Sequence, residues 1–89
     1  MPVGTIGSKR LQELLERIVP AMFELSGENT TTTTKPLTVH DIAMKAEVCC
    51  HIVGKVLLQE SHSIFHLEVR YYYVRGQRRR TVKWAYLHY

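Results

Sequence analysis

Residues 37–58 read LTVHDIAMKAEVCCHIVGKVLL, and the spacing of their apolar side chains indicates two short helices separated by a break. Thr38 is a good N-cap residue, and Asp41 follows it where a carboxylate favours the exposed amides of a helix. The first of the two helices is therefore expected from Val39 to Lys45 or Ala46. The second is expected from about Cys49 to about Gln59.

Small and apolar residues stand in this stretch where two helices must cross closely. Ala43 is small at the expected crossing, and Val48 is expected to fill the turn. The segment DIAMKAEVCCHIVGKVL, residues 41–57, resembles the N-terminal helix-turn-helix of lac-repressor-type regulators, whose pattern is D-[IV]-A-x-x-A-G-V-S-x-x-T-V-S-x-V-L. This resemblance covers about a fifth of the chain. Glu47 stands where a turn glycine is usual, which predicts a longer or more open turn, and Cys49 replaces a capping serine, which predicts a weaker cap.

A long amphipathic helix is expected before this unit, from a cap at Ser8 to about Leu25. Pro20 lies inside it and is expected to kink the helix rather than split it, because the apolar stripe keeps its phase. The stripe consists of Leu11, Leu14, Leu15, Ile18, Val19, Met22 and Phe23. The threonine run that follows is either a flexible loop or an edge strand, and a short strand over residues 34–37 is one of these alternatives.

From Ile64 the hydrophobic pattern changes to strict alternation, which predicts a strand to Tyr73, a turn around Gly76 and a second strand over residues 79–88. One face carries Phe65, Leu67, Val69, Tyr71 and Tyr73 from the first strand and Val82, Trp84 and Tyr86 from the second. We expect these residues to be core, although exposed aromatics here would form a stacking platform for single strands. Tyr72 is expected on the polar face.

Positive charge is concentrated at the C-terminal end of the sequence. Residues 1–69 contain six Lys/Arg and eight Asp/Glu, whereas residues 70–89 contain six Lys/Arg and no acid. Such asymmetry is typical of a chain end that meets a polyanion. The turn region carries Arg75, Arg78, Arg79 and Arg80. These arginines are expected on a DNA backbone or in a minor groove; RNA binding and a merely solvated turn are the alternatives.

The long first helix and the C-terminal hairpin resemble the winged-helix superfamily. This resemblance implies an α+β fold of order α-β-α-α-β-β, with a two-stranded antiparallel wing, as one domain over residues 1–89. Residues 1–7 and 26–34 are expected to be flexible. The resemblance also implies a small DNA-binding transcription regulator of the kind typical of archaea and their viruses. A homodimer is expected, with the first helix as its interface.

In such proteins the second helix of the motif, here residues 49–59, enters the major groove of double-stranded DNA. Its outward positions with candidate contacts are Cys50, His51, Lys55 and Gln59. With neither Arg nor Asn, this is a poor set for bidentate base reading. Two alternatives therefore stay open, a protein-interaction module and a non-specific or architectural nucleic-acid binder. Tyr72 and the turn arginines complete the expected DNA-binding set.

Other chemistries are not expected. The sequence has no glycine-rich phosphate loop and no nucleophile paired with a base, so we expect no catalytic residue, no cofactor and no enzyme. His62 and His66 have a spacing that suits zinc, but Cys49-Cys50 is not a Cys-x2-Cys pair, so no metal site is expected. Neither a membrane span nor a signal peptide is recognisable, and an intracellular protein without membrane association is expected.

Overall fold

A computed structural model describes residues 5–28, 31–61 and 63–87. Within them the chain is α+β, as predicted, with three helices and one three-stranded antiparallel sheet of strand order β1-β3-β2. In chain order the elements are α1 Ser8–Ser26, β1 Leu37–Thr38, α2 Val39–Ala46, α3 Cys50–Gln59, β2 Phe65–Val74 and β3 Gln77–Tyr86. Parts of the segments expected to be flexible, residues 1–4 and 29–30, lie outside the described residues, as does the end of the second predicted strand at His88.

Helix α1 packs one side of its apolar stripe into the core. Leu14, Ile18 and Met22 are buried, and Pro20 does not split the helix. The prediction that Ser8 caps the helix is wrong. Gly7 is the N-cap, and Ser8 is the first helical residue because the backbone carbonyl of Gly7 already accepts the amide of Leu11 at 2.8 Å.

Helices α2 and α3 begin and end within a residue of the predicted limits and are joined by a tight turn. The hydroxyl of Thr38 accepts the backbone N–H of Asp41 at 3.1 Å, so the predicted cap is confirmed. The expectation of a longer or more open turn is wrong. Glu47 itself takes the left-handed conformation usually left to glycine, with φ 57° and ψ 43°. The amide of Val48 then bonds to the carbonyl of Ala43 at 3.1 Å, which closes the end of α2.

The threonine run is bonded to strand β3, on the side of β3 that also pairs with β1. Strand β1 comprises only Leu37–Thr38, so the strand suggested over residues 34–37 is shifted toward α2. Thr33 is buried, its amide donates to the carbonyl of Tyr86 at 2.7 Å, and its hydroxyl accepts the amide of Tyr86 at 2.8 Å. The hydroxyl therefore satisfies a backbone group of β3 beyond the short pairing with β1.

The predicted C-terminal hairpin is present and regular. Its two strands pair residue for residue from Phe65 opposite Tyr86 to Val74 opposite Gln77. The turn is shorter than predicted, with only Arg75 and Gly76 between the strands, at φ 52° and 77°. Two consecutive residues with positive φ are typical of a type I′ turn, whose twist matches that of the strands.

Only the base of the hairpin contributes to the core. Phe65 and Trp84 are buried with the apolar sides of the three helices. Tyr71 and Tyr73, expected as core, are instead 56% and 74% exposed. The alternation of the strand continues past the end of the helical layer, so the same face that is buried at the base is in solvent near the turn.

Candidate nucleic-acid interface

Helix α3 has a clear inner and outer side. Val53, Val56 and Leu57 are buried, and these positions anchor the helix against the core. His51 and Lys55 are exposed on the opposite side, one turn apart, and Leu58 continues the same line at 62% exposure. Cys50 is exposed at the first helical position. The outer side of α3 is thus short, weakly basic and partly apolar.

Gln59, the last candidate on α3, has a structural partner. Its side-chain carbonyl accepts the amide of Ile6 at 2.9 Å, and its side-chain amide donates to the carbonyl of Ile6 at 3.0 Å. These two bonds attach the segment before α1 to the end of α3. Contact of Gln59 with a base would require both bonds to break, which favours a structural role for this side chain.

The arginines of the hairpin are divided between its two faces. Arg78 and Arg80 pair with Tyr73 and Tyr71 on the face that is continuous with the core. Arg79 lies opposite Tyr72 on the other face, where its guanidinium donates to the side chain of Gln77 at 3.2 Å. All four turn-region arginines, including Arg75, are exposed.

One arginine is held by an aromatic ring. The guanidinium carbon of Arg78 lies 4.0 Å from the centroid of the Tyr71 ring, which is a cation–π contact. The contact orders a long side chain at an exposed position and leaves its N–H groups in solvent. Although Tyr71 is exposed, one face of its ring is thus covered by Arg78.

A groove separates α3 from the hairpin. Its walls are Gly54 and Leu58 on α3 and Leu67, Val69, Arg80, Val82 and Trp84 on the hairpin, with Val39 at one end. The floor is apolar and the guanidinium of Arg80 provides the positive charge. The sequence analysis missed Leu58 and Leu67 as surface residues, although Leu58 is seven residues after His51 and so falls on the same helical side.

The charge around this groove is of one sign. Helix α3 contains no acidic residue, and none occurs in residues 69–87. Glu68 lies on the face of the hairpin opposite to Arg80, and its carboxylate is bonded to Arg70. Among the described residues, those of α3, those lining the groove and those of the hairpin turn include no acidic residue.

Three potential metal ligands meet at the start of α3. The Nδ1 atom of His51 is 3.8 Å from the Sγ atom of Cys49 and 4.0 Å from that of Cys50. The hydrogen bond with His51, assisted by the backbone amides of His51 and Ile52, lowers the pKa of the Cys49 thiol from its usual range. Of the two histidines with zinc-like spacing, His66 is exposed on β2, and His62 lies outside the described residues.

The outer edge of the α1 stripe forms a second apolar surface. Leu11, Leu15 and Val19 are only partly buried, and they line an open groove that extends to Pro20 and Glu60. The inner line of the same stripe fills the core. Helix α1 thus has more apolar surface than one core can cover.

Comparison of the chain with protein-family models, with curated proteins and with solved structures found no match. Among the described residues, none of the helices is both long enough and apolar enough to cross a bilayer.

Proposed function

We propose that this protein is a winged-helix DNA-binding protein and acts as a transcription regulator rather than as an enzyme. In this proposal α2 and α3 are the helix-turn-helix, α3 lies in the major groove, and the β2–β3 hairpin is the wing. The chain order of the elements and the short β1 paired beside the hairpin support the assignment.

The observation that carries the proposal is the acid-free surface that joins α3 to the hairpin. Arg80 and Gly54 line one groove, Arg78 lies on the same face of the hairpin nearer the turn, and Arg79 lies on the opposite face. A duplex placed along the outer side of α3 would bring its phosphates toward the cationic residues of the hairpin. Phosphate contacts of this kind supply most of the sequence-independent affinity of DNA-binding proteins.

The two parts of the surface have different expected roles. On α3, Lys55 and His51 are the side chains able to donate to base acceptors or phosphates, with Cys50 beside them. On the hairpin, Arg75, Arg78, Arg79, Arg80 and Tyr72 are placed to contact phosphates or a minor groove. We therefore expect the hairpin to supply affinity and α3 to supply a limited sequence preference.

We further propose a homodimer that buries the outer edge of the apolar stripe on α1. Leu11, Leu15 and Val19 are half-exposed along one helix, and a second copy would cover them with the same surface. A twofold dimer also doubles the number of phosphate contacts and matches a palindromic site.

A protein-interaction module is the second candidate, and the apolar character of the groove favours it. Leu58, Leu67 and Val69 are exposed within or beside the groove. Exposed apolar side chains are uncommon on a surface that contacts only phosphates. An apolar segment of a partner protein would cover them by binding in the groove.

The two candidates are separated by measuring fluorescence anisotropy of labelled duplex DNA, single-stranded DNA and duplex RNA of the same sequence, titrated in parallel. The DNA-binding proposal predicts the tightest binding to duplex DNA, with a strong dependence on salt. Preference for single strands would favour stacking on the exposed tyrosines. Absence of binding to all three at low salt would contradict the proposal and favour the protein-interaction module.

A further inference from the structure

We propose that Cys49, Cys50 and His51 form a binding site for a thiophilic d¹⁰ metal ion of the zinc and copper(I) class, located at the first turn of α3. The site itself does not depend on the DNA-binding proposal. Its regulatory consequence, given below, does rest on that proposal.

The backbone brings these three consecutive side chains together. In an uninterrupted helix, successive side chains point about 100° apart and cannot share a small ligand. Here Cys49 lies outside the helix, with φ −56° and ψ 135°, and Cys50 is the first helical residue. The change of direction between them turns the Cys49 thiol back toward the ring of His51.

The resulting spacing is close to what a metal ion requires. The donor atoms of the three residues all lie within 4.8 Å of one another, with the two sulfur–nitrogen distances at 3.8 and 4.0 Å. Metal–sulfur bonds of about 2.3 Å and metal–nitrogen bonds of about 2.0 Å place neighbouring ligands roughly 3.5–4 Å apart. All three side chains are exposed, so the remaining adjustment needs only rotation of side chains.

The donor set selects the class of ion. Two thiolates and one imidazole favour soft or borderline cations and are unsuited to magnesium or calcium, which prefer oxygen. The three ligands leave a further coordination position open to water. No metal site was expected from the sequence because Cys49 and Cys50 do not form a Cys-x2-Cys pair. The change of backbone direction at the start of α3 nevertheless brings both thiols close to the ring of His51.

Given the DNA-binding proposal, metal occupancy is expected to weaken duplex binding. The two thiolates cancel the charge of a divalent ion, so the loaded site gains no attraction for phosphate. Coordination also holds His51 against the start of α3 and removes it from contact with DNA. The metal would therefore act as an effector that releases the protein from DNA.

The test is a titration of the reduced, chelator-treated full chain with Cd²⁺, followed by the thiolate-to-metal charge-transfer absorbance, with Zn²⁺ as competitor and no DNA present. We expect saturation at one ion per chain and displacement by Zn²⁺. Cys49→Ser, Cys50→Ser and His51→Gln should each weaken binding by more than tenfold. His40→Gln is the matched control, because His40 is an exposed histidine on α2, and it should bind as the parent does.

Failure to develop the absorbance at stoichiometric Cd²⁺, or equal binding by the cysteine variants and the parent, would overturn the site. The result is independent of DNA. If the site loads and duplex affinity does not change, the regulatory role is overturned while the site stands. If the protein does not bind duplex DNA at all, the proposed function fails and the metal titration still decides the site.

Discussion

Arg80 on strand β3 and Gly54 on helix α3 line the same groove, although 26 positions separate them in the sequence. The hairpin is therefore not an independent appendage but one wall of a surface whose other wall is α3. In the proposed complex, a duplex that lies along α3 also reaches the cationic residues of the hairpin.

The hairpin arginines should supply most of the salt-dependent affinity. Replacing Arg78, Arg79 and Arg80 together by Ala should weaken binding to all duplex sequences alike. Each lost phosphate contact should reduce the slope of log affinity against log salt by about 0.9. Arg70→Ala is the control, because Arg70 is on the same hairpin but already bonded to Glu68. If the triple variant has the same slope of log affinity against log salt as the parent, the hairpin arginines do not contact the DNA.

The outer edge of the apolar stripe on α1 should form the dimer interface. Leu15→Glu adds a charge to a half-buried apolar position, so it should convert a dimer to a monomer in sedimentation or sizing measurements. Fluorescence of Trp84, the single tryptophan and 2% exposed, should remain that of the folded chain. Lys9→Gln makes an equal change of charge on the solvent side of α1. A monomeric parent, or a dimeric Leu15→Glu variant, would contradict the proposed interface.

The turn between α2 and α3 should become more stable with glycine. Glu47 has φ 57°, a conformation that costs a non-glycine residue about 1 kcal/mol or more. Its ion pair with Arg17, at 4.0 Å between two exposed groups, offsets little of this cost. Glu47→Gly should raise the free energy of unfolding by about 0.5–1 kcal/mol in denaturant titrations. Arg17→Ala measures the ion pair separately, and a less stable glycine variant would mean that the backbone strain is unimportant.

Stability should depend on pH through the Glu28 carboxylate. It accepts the hydroxyl of Thr34 at 2.9 Å and the amide of Lys35 at 3.1 Å, and hydrogen bonds from Thr34 above all lower its pKa below the ordinary 4.5. A lowered folded-state pKa stabilises the fold above the unfolded pKa and loses that effect as pH falls through the folded pKa. Glu28→Gln should therefore be less stable than the parent near neutral pH.

The stability difference between Glu28→Gln and the parent should shrink as pH falls below 4.5. Thermal melts from neutral pH to pH 3 would follow it. A difference that stays constant over this range would show that the charge of Glu28 does not contribute to closing the loop before β1.

The helices were predictable from local features of the sequence. The Thr38 cap and the apolar period placed α2 and α3 within a residue of their observed limits, because helix ends depend on nearby side chains. The prediction that Ser8 caps α1 was wrong by one residue. Two adjacent residues could each precede the helix, and the sequence does not reveal which carbonyl makes the first helical bond.

The environment of the hairpin was not predictable. Alternation assigned Tyr71 to the same face as Phe65, which is correct, but burial requires helices to cover that face. Where this cover ends is a property of the packed fold. The approach of Cys49 to His51 was hidden for a related reason, because it depends on the first helical residue being Cys50.

Lys55→Glu tests most directly whether α3 and the hairpin bind duplex DNA as one surface. Lys55 is exposed on the outer side of α3, so the substitution should alter the free energy of unfolding by about 0.5 kcal/mol or less. In the proposed complex it places a negative charge against phosphates and base acceptors. Lys9→Glu is the matched control, since Lys9 lies about two and a half turns from the buried Ile18 and points away from the core.

The measurement is the duplex dissociation constant of the parent, Lys55→Glu and Lys9→Glu by fluorescence anisotropy at one salt concentration, with thermal melts of all three. We predict that Lys55→Glu melts like the parent and binds more than tenfold more weakly, a loss of over about 1.4 kcal/mol. Lys9→Glu should lose much less affinity. A Lys55→Glu protein that is folded and binds duplex DNA as tightly as the parent would contradict binding by one surface and favour the protein-interaction module.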